Sequence, residues 1–546
     1  MNQTIARDVG QLESLRVHAA DNVRVALRDL PAGREIDDEE KRIVLSEPIR
    51  QKHKFTLAFL DVGDTVIMYG VTVGRATRAI PTGAAITTEN TEHSTASAVP
   101  RAYRGHWQAP DVSAFQGATF DGYHRPDGRV GTANLWLVVP LVFCENRNIE
   151  VLRQSVADAL GEDPYRDYKR LARELLHGAA GAEPSPPPTE RFFPNVDGVR
   201  FLTHTLGCGG TDEDAIALCQ LLAGYICHPN VAGATVLSLG CQKAQIEMLR
   251  DAVAERDPKG LRPVHYLEQQ GSTSEEALIR EALTTIFDGL AEANRVERAP
   301  APLSELSIGV ECGGSDGFSG LSANPVVGAV IDRLVALGGS GILSEFPELC
   351  GVEHELLARC RDDRVAERFV SLMNAYQEHA ARVGADFSMN PSPGNIRDGL
   401  ITDAMKSAGA AKKGGDSPVV DVLDYTEPQT RRGLNLLCTP GNDVESTTGL
   451  AGSGANLIMF TTGLGTPTGN PVAPVLKISS NSEMARRMAD VIDFDTGPVI
   501  RGEASIDELA DRLLQLCIDT ASGRYRAKAV GLAQYDFIPW KRGVSL

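Results

Sequence analysis

The sequence predicts a small all-β domain followed by a large α/β region with mainly parallel sheets, arranged as two lobes. Short β-rich runs separated by turn signals occupy roughly the first hundred residues. From Gly131 onward, apolar runs of strand length alternate with amphipathic stretches, which is the texture of α/β units. The length of 546 residues also exceeds what one hydrophobic core supports, at about 150 residues per domain.

Taken in order, the β domain spans residues 1–98 and rests on RVALRDLPAGREI, KFTLAFLDVGDTVIMYG and TRAIPTGAAI. Each is a short apolar run broken by a glycine turn. Residues 99–118 mix Pro, Gly, aromatic and polar side chains without a period, so they read as a linker. The first α/β lobe, 119–300, contains the helical stretches IEVLRQSVADAL and SEEALIREALTTIFDGLA. Within it, AAGAEPSPPPTERFFP at 179–194 reads as a surface loop. VERAPAPLSEL at 296–306 separates it from the C-terminal lobe, 301–546.

Composition excludes several classes of function. The chain is 42% hydrophobic and 23% charged, with no apolar stretch near the ~20 residues that span a bilayer. A net charge of -18 without any Lys/Arg run disfavours nucleic acid. The N-terminus has no apolar signal core, so a cytoplasmic location is expected. There the ten cysteines are expected as thiols, ligands or buried small hydrophobes rather than disulfides.

Four apolar runs end in cysteine: LVVPLVFC at Cys144, VRFLTHTLGC at Cys208, LSIGVEC at Cys312 and GLNLLC at Cys438. Three continue into CGGTD, CGGSD and CTPGND. In open parallel sheets the ligand crevice lies beyond the carboxyl ends of the strands, where turns and helix N-termini expose N–H groups. For any one such turn, a buried cysteine and an aspartate helix cap explain the residue types equally well. Repetition favours a shared crevice, and duplication of a βα unit also explains the likeness. GCQKAQ, LSEFPELCG, NPSPGNIRDG and FTTGLGTPTGNP add further polar turns.

These residues resemble the altronate and galactarate dehydratase family. DNVRVALRDLPAG, KHKFTLAFLDVGD and VIMYGVTVGRAT are similar to its SAF β-clip domain. GYHRPDGRVGTAN, LAGYICHPNVAGATVLSLGCQ, ECGGSDGFSGLSANP, GGSGILSEFPE, NPSPGN, TPGND and FTTGLGTPTGN follow its catalytic region in order. The resemblance implies elimination of water from a polyhydroxy acid to give a 2-keto acid through an enediolate. It also implies a divalent metal, Fe2+ or Mn2+ or else Mg2+. A base for the α proton, a cation for the enediolate and an acid for the leaving hydroxyl are what such chemistry needs.

The chain departs from the family pattern in four places. ITTEN, with Thr87, Glu89 and Asn90, stands where the family carries His-Thr-His-Asn. Ala133, Ile396 and Leu464 stand where it carries Arg, Lys and Arg. The lost cations predict a substrate smaller or less charged than galactarate or altronate. They also leave open a carbon–sulfur lyase acting on a sulfonated hydroxy acid, or a non-catalytic sugar-acid-binding relative.

The expected catalytic residues are Cys208, Asp212, Cys312, Asp316, Glu345 and Asp443, with Cys241 and Glu311 as further candidates. Lys54, Arg125, Asn442, Thr461 and Thr462 are expected to bind substrate. His18, His53 and Glu89 are the expected metal ligands, a set that suits Fe2+ or Mn2+. The cysteine spacing is not compact, so an Fe–S cluster is not expected. His204 and His228 are candidates for the base or for structural hydrogen bonds. The expected partner is a small hydroxy-acid substrate, and a homo-oligomer is the expected assembly.

Overall fold

The computed structural model describes residues 12–38, 41–95, 107–161, 163–177 and 191–545. Parts of the expected linker (99–106) and of the expected surface loop (179–190) lie outside the described residues.

The N-terminal domain is built from short antiparallel pairs, among them Val23–Ala26 with Lys54–Thr56 and Thr65–Met68 with Val71–Ala76. Ala26, Leu30, Ile36, Ile43, Leu45, Ile49 and Phe55 form a small core of their own. The hairpin turn at Tyr69 and Gly70 requires positive φ at both residues, 59° and 80°. One end of this domain docks on the C-terminal lobe: Thr402 Oγ1 donates to Val73 O at 2.5 Å, and Lys52 reaches Asp316 at 2.9 Å.

The proline-rich stretch read as a separator is itself paired. Arg298–Pro302 runs antiparallel to Thr119–His124 and closes the end of the first lobe on its beginning. Pro300 and Pro302 are tolerated because the strand lies at a sheet edge, where missing N–H groups cost no ladder bond.

In the first lobe, β1 (Leu135–Pro140), β2 (Gly198–Phe201), β3 (Val231–Ser238) and β4 (Val264–Glu268) form a parallel sheet in the order β2-β1-β3-β4. The C-terminal lobe holds β5 (Ser307–Cys312), β6 (Ser340–Leu343), β7 (Val419–Leu423), β8 (Gly433–Leu437), β9 (Leu457–Thr462), β10 (Val475–Ser479) and β11 (Phe494–Asp495). They form a parallel sheet in the order β7-β8-β6-β5-β9-β10-β11. In both sheets the chain enters mid-sheet, winds to one side and then crosses to the other. The switch points therefore lie between β1 and β3 and between β5 and β9, where α/β sheets bind ligands.

Helix α1 (Asp212–Ile226) follows β2, α2 (Asp403–Ala410) precedes β7, and α3 (Asp443–Gly452) follows β8. One apolar core takes side chains from both sheets and from α1 and α3. Gly224 in α1 lies so close to α3 that a Cβ there would meet Gly452 O at 2.2 Å, so only glycine fits the contact. Arg542 ties the carboxyl ends of the sheets together: its guanidinium bonds Asp424, just past β7, and its backbone N–H bonds Asp214 in the first turn of α1. Among the described residues no helix is long and apolar enough to cross a membrane.

Candidate active site

β5 ends in Glu311 and Cys312, both fully buried. The turn after β6 folds over them because Glu345 takes the left-handed conformation, with φ 68°, held by its N–H donating to Thr439 Oγ1 at 2.8 Å. That conformation costs a non-glycine residue about 1–3 kcal/mol and collects at functional sites. It aims the Glu345 carboxylate at the end of β5, where Oε2 accepts from Cys312 N at 3.0 Å and from Lys413 Nζ at 2.5 Å. One helical turn on, Glu348 Oε2 accepts from Cys312 Sγ at 3.0 Å. Its Oε1 accepts from Lys406 Nζ, on α2, at 2.6 Å. Lys406 also donates to Asn390 Oδ1 at 2.9 Å.

Glu311 is held toward its neutral form. Burial and the neighbouring Glu345 carboxylate push it well above the usual carboxyl range, and Ser344 and Ser446 hydroxyls fix its Oε2 at 2.9 and 2.5 Å. Burial and the Glu345 and Glu348 charges likewise hold the Cys312 thiol protonated, consistent with its donating to Glu348. Lys406 and Lys413 stay charged despite burial because carboxylates face them.

Two groups stand near neutrality. Burial, with Glu345 and Glu348 nearby, raises Asp443 at the N-terminus of α3 to about 7. Burial lowers Lys477 on β10 to about 7, with Asp443 as the main charge opposing that shift. Lys477 Nζ has no hydrogen-bond acceptor and lies 3.6 Å from the centre of the Phe460 ring. Asp443 packs directly on Gly313, where a Cβ would fall 2.1 Å from its Oδ2. The first glycine of CGGSD is therefore a space requirement.

The donor atoms of Cys312, Glu345 and Glu348 lie within 4.8 Å of one another, and Glu345 Oε1 has no hydrogen-bond partner. This set could hold a metal ion, which would take the place of the Cys312 proton. One thiolate with two carboxylates suits a transition metal better than Mg2+, which prefers all-oxygen shells.

Of the residues expected from sequence, Glu311, Cys312, Glu345 and Asp443 come together here. The structure gives the remainder other partners or places them elsewhere. Asp316 is fully buried, but five donors saturate it: Lys52 Nζ and Asn481 Nδ2 on Oδ2, Ser480 Oγ, Ser319 Oγ and Phe318 N on Oδ1. Thr461 Oγ1 donates to Asn324 at 2.7 Å, Thr462 Oγ1 accepts from Gly465 N, and exposed Asn442 caps α3, so all three are structural. Lys54 spends its amine on the Lys52 and Gly399 carbonyls. Arg125 spends its guanidinium on Pro229 O, Asn134 Oδ1 and Ala133 O. Both side chains are buried on these partners.

The structure gives the three expected metal ligands other partners. His53 is bonded to Arg397 O, His18 Nδ1 accepts from Ala20 N, and exposed Glu89 pairs with Arg78. The three are not gathered within ligand reach. His204 and His228 are buried on the Pro140 and Ala455 carbonyls, and burial lowers them to about 4 and about 3, so they are neutral structural groups. Cys208, Asp212 and Cys241 lie exposed in the first lobe, with Asp212 paired to Lys243 at 2.9 Å. Of the three positions that lost a cation, Leu464 is in the active-site turn, 3.3 Å from where a Gly314 Cβ would sit. Ala133 lies at the amino end of β1 and Ile396 packs on the core, so the argument for a changed substrate narrows to Leu464.

Glu348, Lys406, Lys413 and Lys477 were missed by sequence reasoning. Lysines set among small or apolar neighbours, as in DAMKSAGAAKKGG and APVLKISS, are the signal that could have found them.

Three family profiles tile the chain: "Altronate/galactarate dehydratase SAF domain" over residues 12–94, "D-galactarate dehydratase/Altronate hydrolase, second domain" over 122–294, and "D-galactarate/Altronate dehydratase, C-terminal" over 303–545. The chain belongs to the altronate/galactarate dehydratase family. It is 34% identical to an altronate dehydratase of Escherichia coli over 94% of its own length and 96% of that protein. It is 33% identical to a galactarate dehydratase (L-threo-forming) of the same organism, over 93% of each chain. A (2R)-sulfolactate sulfo-lyase subunit beta of Chromohalobacter salexigens is 31% identical over 77% of this chain and 97% of its own.

Proposed function

We propose that this protein is a hydro-lyase that removes water from a sugar acid, taking the proton from C2 and the hydroxyl from C3. The resulting enol relaxes to a 2-keto-3-deoxy acid. The observation that carries the reading is Asp443, a carboxyl poised near neutrality at the carboxyl end of the larger sheet, beside buried ammonium groups.

At about pH 7 Asp443 can both accept the C2 proton and give it up again. Lys406 and Lys413 hold fixed positive charge in a water-excluded site, where it counts most against the negative charge that grows on the substrate carboxylate. Lys477, free of any acceptor, gives a proton to the departing C3 hydroxyl, which leaves as water. A divalent ion, Fe2+ or Mn2+, held by Cys312, Glu345 and Glu348 would polarise the substrate's carboxylate and hydroxyl oxygens.

Leu464 cannot pair with an anion, so the substrate end that faces it is uncharged, as in a monoacid rather than a diacid. The test is a panel of altronate, galactarate, shorter hydroxy acids and sulfolactate, assayed with Fe2+ or Mn2+ for 2-keto acid and for sulfite. The expected outcome is 2-keto acid from a monoacid without sulfite. Sulfite from sulfolactate with no turnover of any sugar acid would overturn the reading.

A further inference from the structure

The proposed reaction leaves the carboxyl edge of the smaller sheet unused, yet three cysteines lie in neighbouring turns along it. Cys144, Cys208 and Cys241 follow the adjacent strands β1, β2 and β3, on both sides of the β1/β3 switch point. Their turns are tied together by backbone bonds. Phe143 N, one residue before Cys144, donates to Leu206 O at 3.0 Å. Lys243 N and Ala244 N, just past Cys241, donate to Gly207 O at 2.9 and 3.1 Å.

Of the ten cysteines, seven are buried, and these three are the exposed ones. Unpaired cysteine is among the most buried residue types, so three exposed thiols at one edge are not explained by packing. An odd number cannot all pair as disulfides. Thr211 Oγ1 caps α1 by accepting from Asp214 N at 3.1 Å, so the N-terminus of this 15-residue helix lies just beyond Cys208. Lys243 and Asp212 pair across the same turns at 2.9 Å and hold the Cys208 and Cys241 loops together.

Spacing separates this site from the buried one. The donors of Cys312, Glu345 and Glu348 all lie within 4.8 Å of one another, and the three exposed sulfurs do not. A single four-coordinate ion draws its thiolates close together, whereas a cluster binds each thiolate to a different iron and spreads them apart.

We propose that Cys144, Cys208 and Cys241 hold an iron–sulfur cluster of the [4Fe–4S] type, one thiolate to each of three irons. The fourth iron receives no cysteine from this edge, because the remaining seven are buried, and it is open to water or to an oxygen of a hydroxy acid. The proposal stands apart from the dehydratase reading, because its readout is the cluster and not turnover.

The full chain, purified without oxygen, is treated with equal ferrous and ferric iron and with sulfide, and assayed for visible sulfur-to-iron absorption, iron and acid-labile sulfide. The expected result is about four irons and four sulfides per chain. The band should be lost in C144S/C208S/C241S and retained in Cys312→Ser. Should the triple variant not fold, each single Cys→Ser change, checked for an unchanged melting temperature, is expected to lower the iron and sulfide content. A wild type that binds no sulfide, or a folded triple variant that keeps the full band, overturns the proposal.

Discussion

In GCGGTD the Asp212 side chain is 85% exposed and has Lys243 as its ion-pair partner, whereas in ECGGSD the Asp316 side chain is wholly buried and takes five donors. Both turns close a parallel strand near a switch point, and both precede a helix. The difference comes from what packs over them. The N-terminal β domain delivers Lys52 onto Asp316, and the β6 turn folds Glu345 and Glu348 over Cys312. Near-identical local sequence thus sets the turn, and long-range packing decides whether it becomes a closed acid–lysine site or an open edge of thiols.

The largest effect that would sharpen this comparison is on stability. Asp316→Asn leaves Lys52 with Asp398 as its remaining carboxylate at 3.2 Å and puts an amide among the buried donors that Asp316 accepts from, and is expected to cost about 2–3 kcal/mol in denaturant unfolding. A loss below about 1 kcal/mol would mean that the interdomain pair is not what separates the two turns.

Next is the pH profile. Asp443 is raised to about 7 and must be ionised to act as base, so activity should rise through pH 7 from the acid side. Lys477 is lowered to about 7 and must be protonated to act as acid, so activity should fall above it. The expected kcat profile is a narrow bell near pH 7 that loses its alkaline limb in Lys477→Met. A profile flat from pH 5 to 9 would remove both roles.

A smaller effect is expected at Leu464. Leu464→Arg should shift the ratio of kcat/KM for galactarate over a monoacid by about tenfold or more, the worth of one charge-assisted hydrogen bond. An unmoved ratio would place the loop away from the substrate. Smallest is Asp212→Asn, which should change stability by less than about 0.5 kcal/mol, since its pair is exposed and Thr211 caps the helix.

The fold was legible in the alternation of strand-like and helical runs, and Cys312, Glu345 and Asp443 were legible because they sit in polar turns after strands. What stayed hidden was carried by distant pairing. Lys406 and Lys413 look like surface residues until Glu348 and Glu345, each more than fifty positions away, neutralise them. Lys477 hid inside an apolar strand where a charge is not expected. For His18, His53 and Glu89 the sequence carried no information about whether the folded chain gathers them, and they form no group within 4.8 Å. Cys144, Cys208 and Cys241 each stood out in the sequence, but that they share one edge did not, because a parallel sheet aligns strand ends that lie far apart in sequence.

The central claim is that chemistry resides in the closed turn at the end of β5, beside Asp443. Its most direct test is kcat/KM for the preferred sugar acid in Asp443→Asn beside Asp212→Asn. Asp443→Asn should lose about a hundred- to ten-thousandfold with an unchanged melting temperature, the range expected for a missing general base, and Asp212→Asn should stay within about threefold of wild type. An Asp443→Asn enzyme as active as wild type, or a larger loss at Asp212, would contradict it.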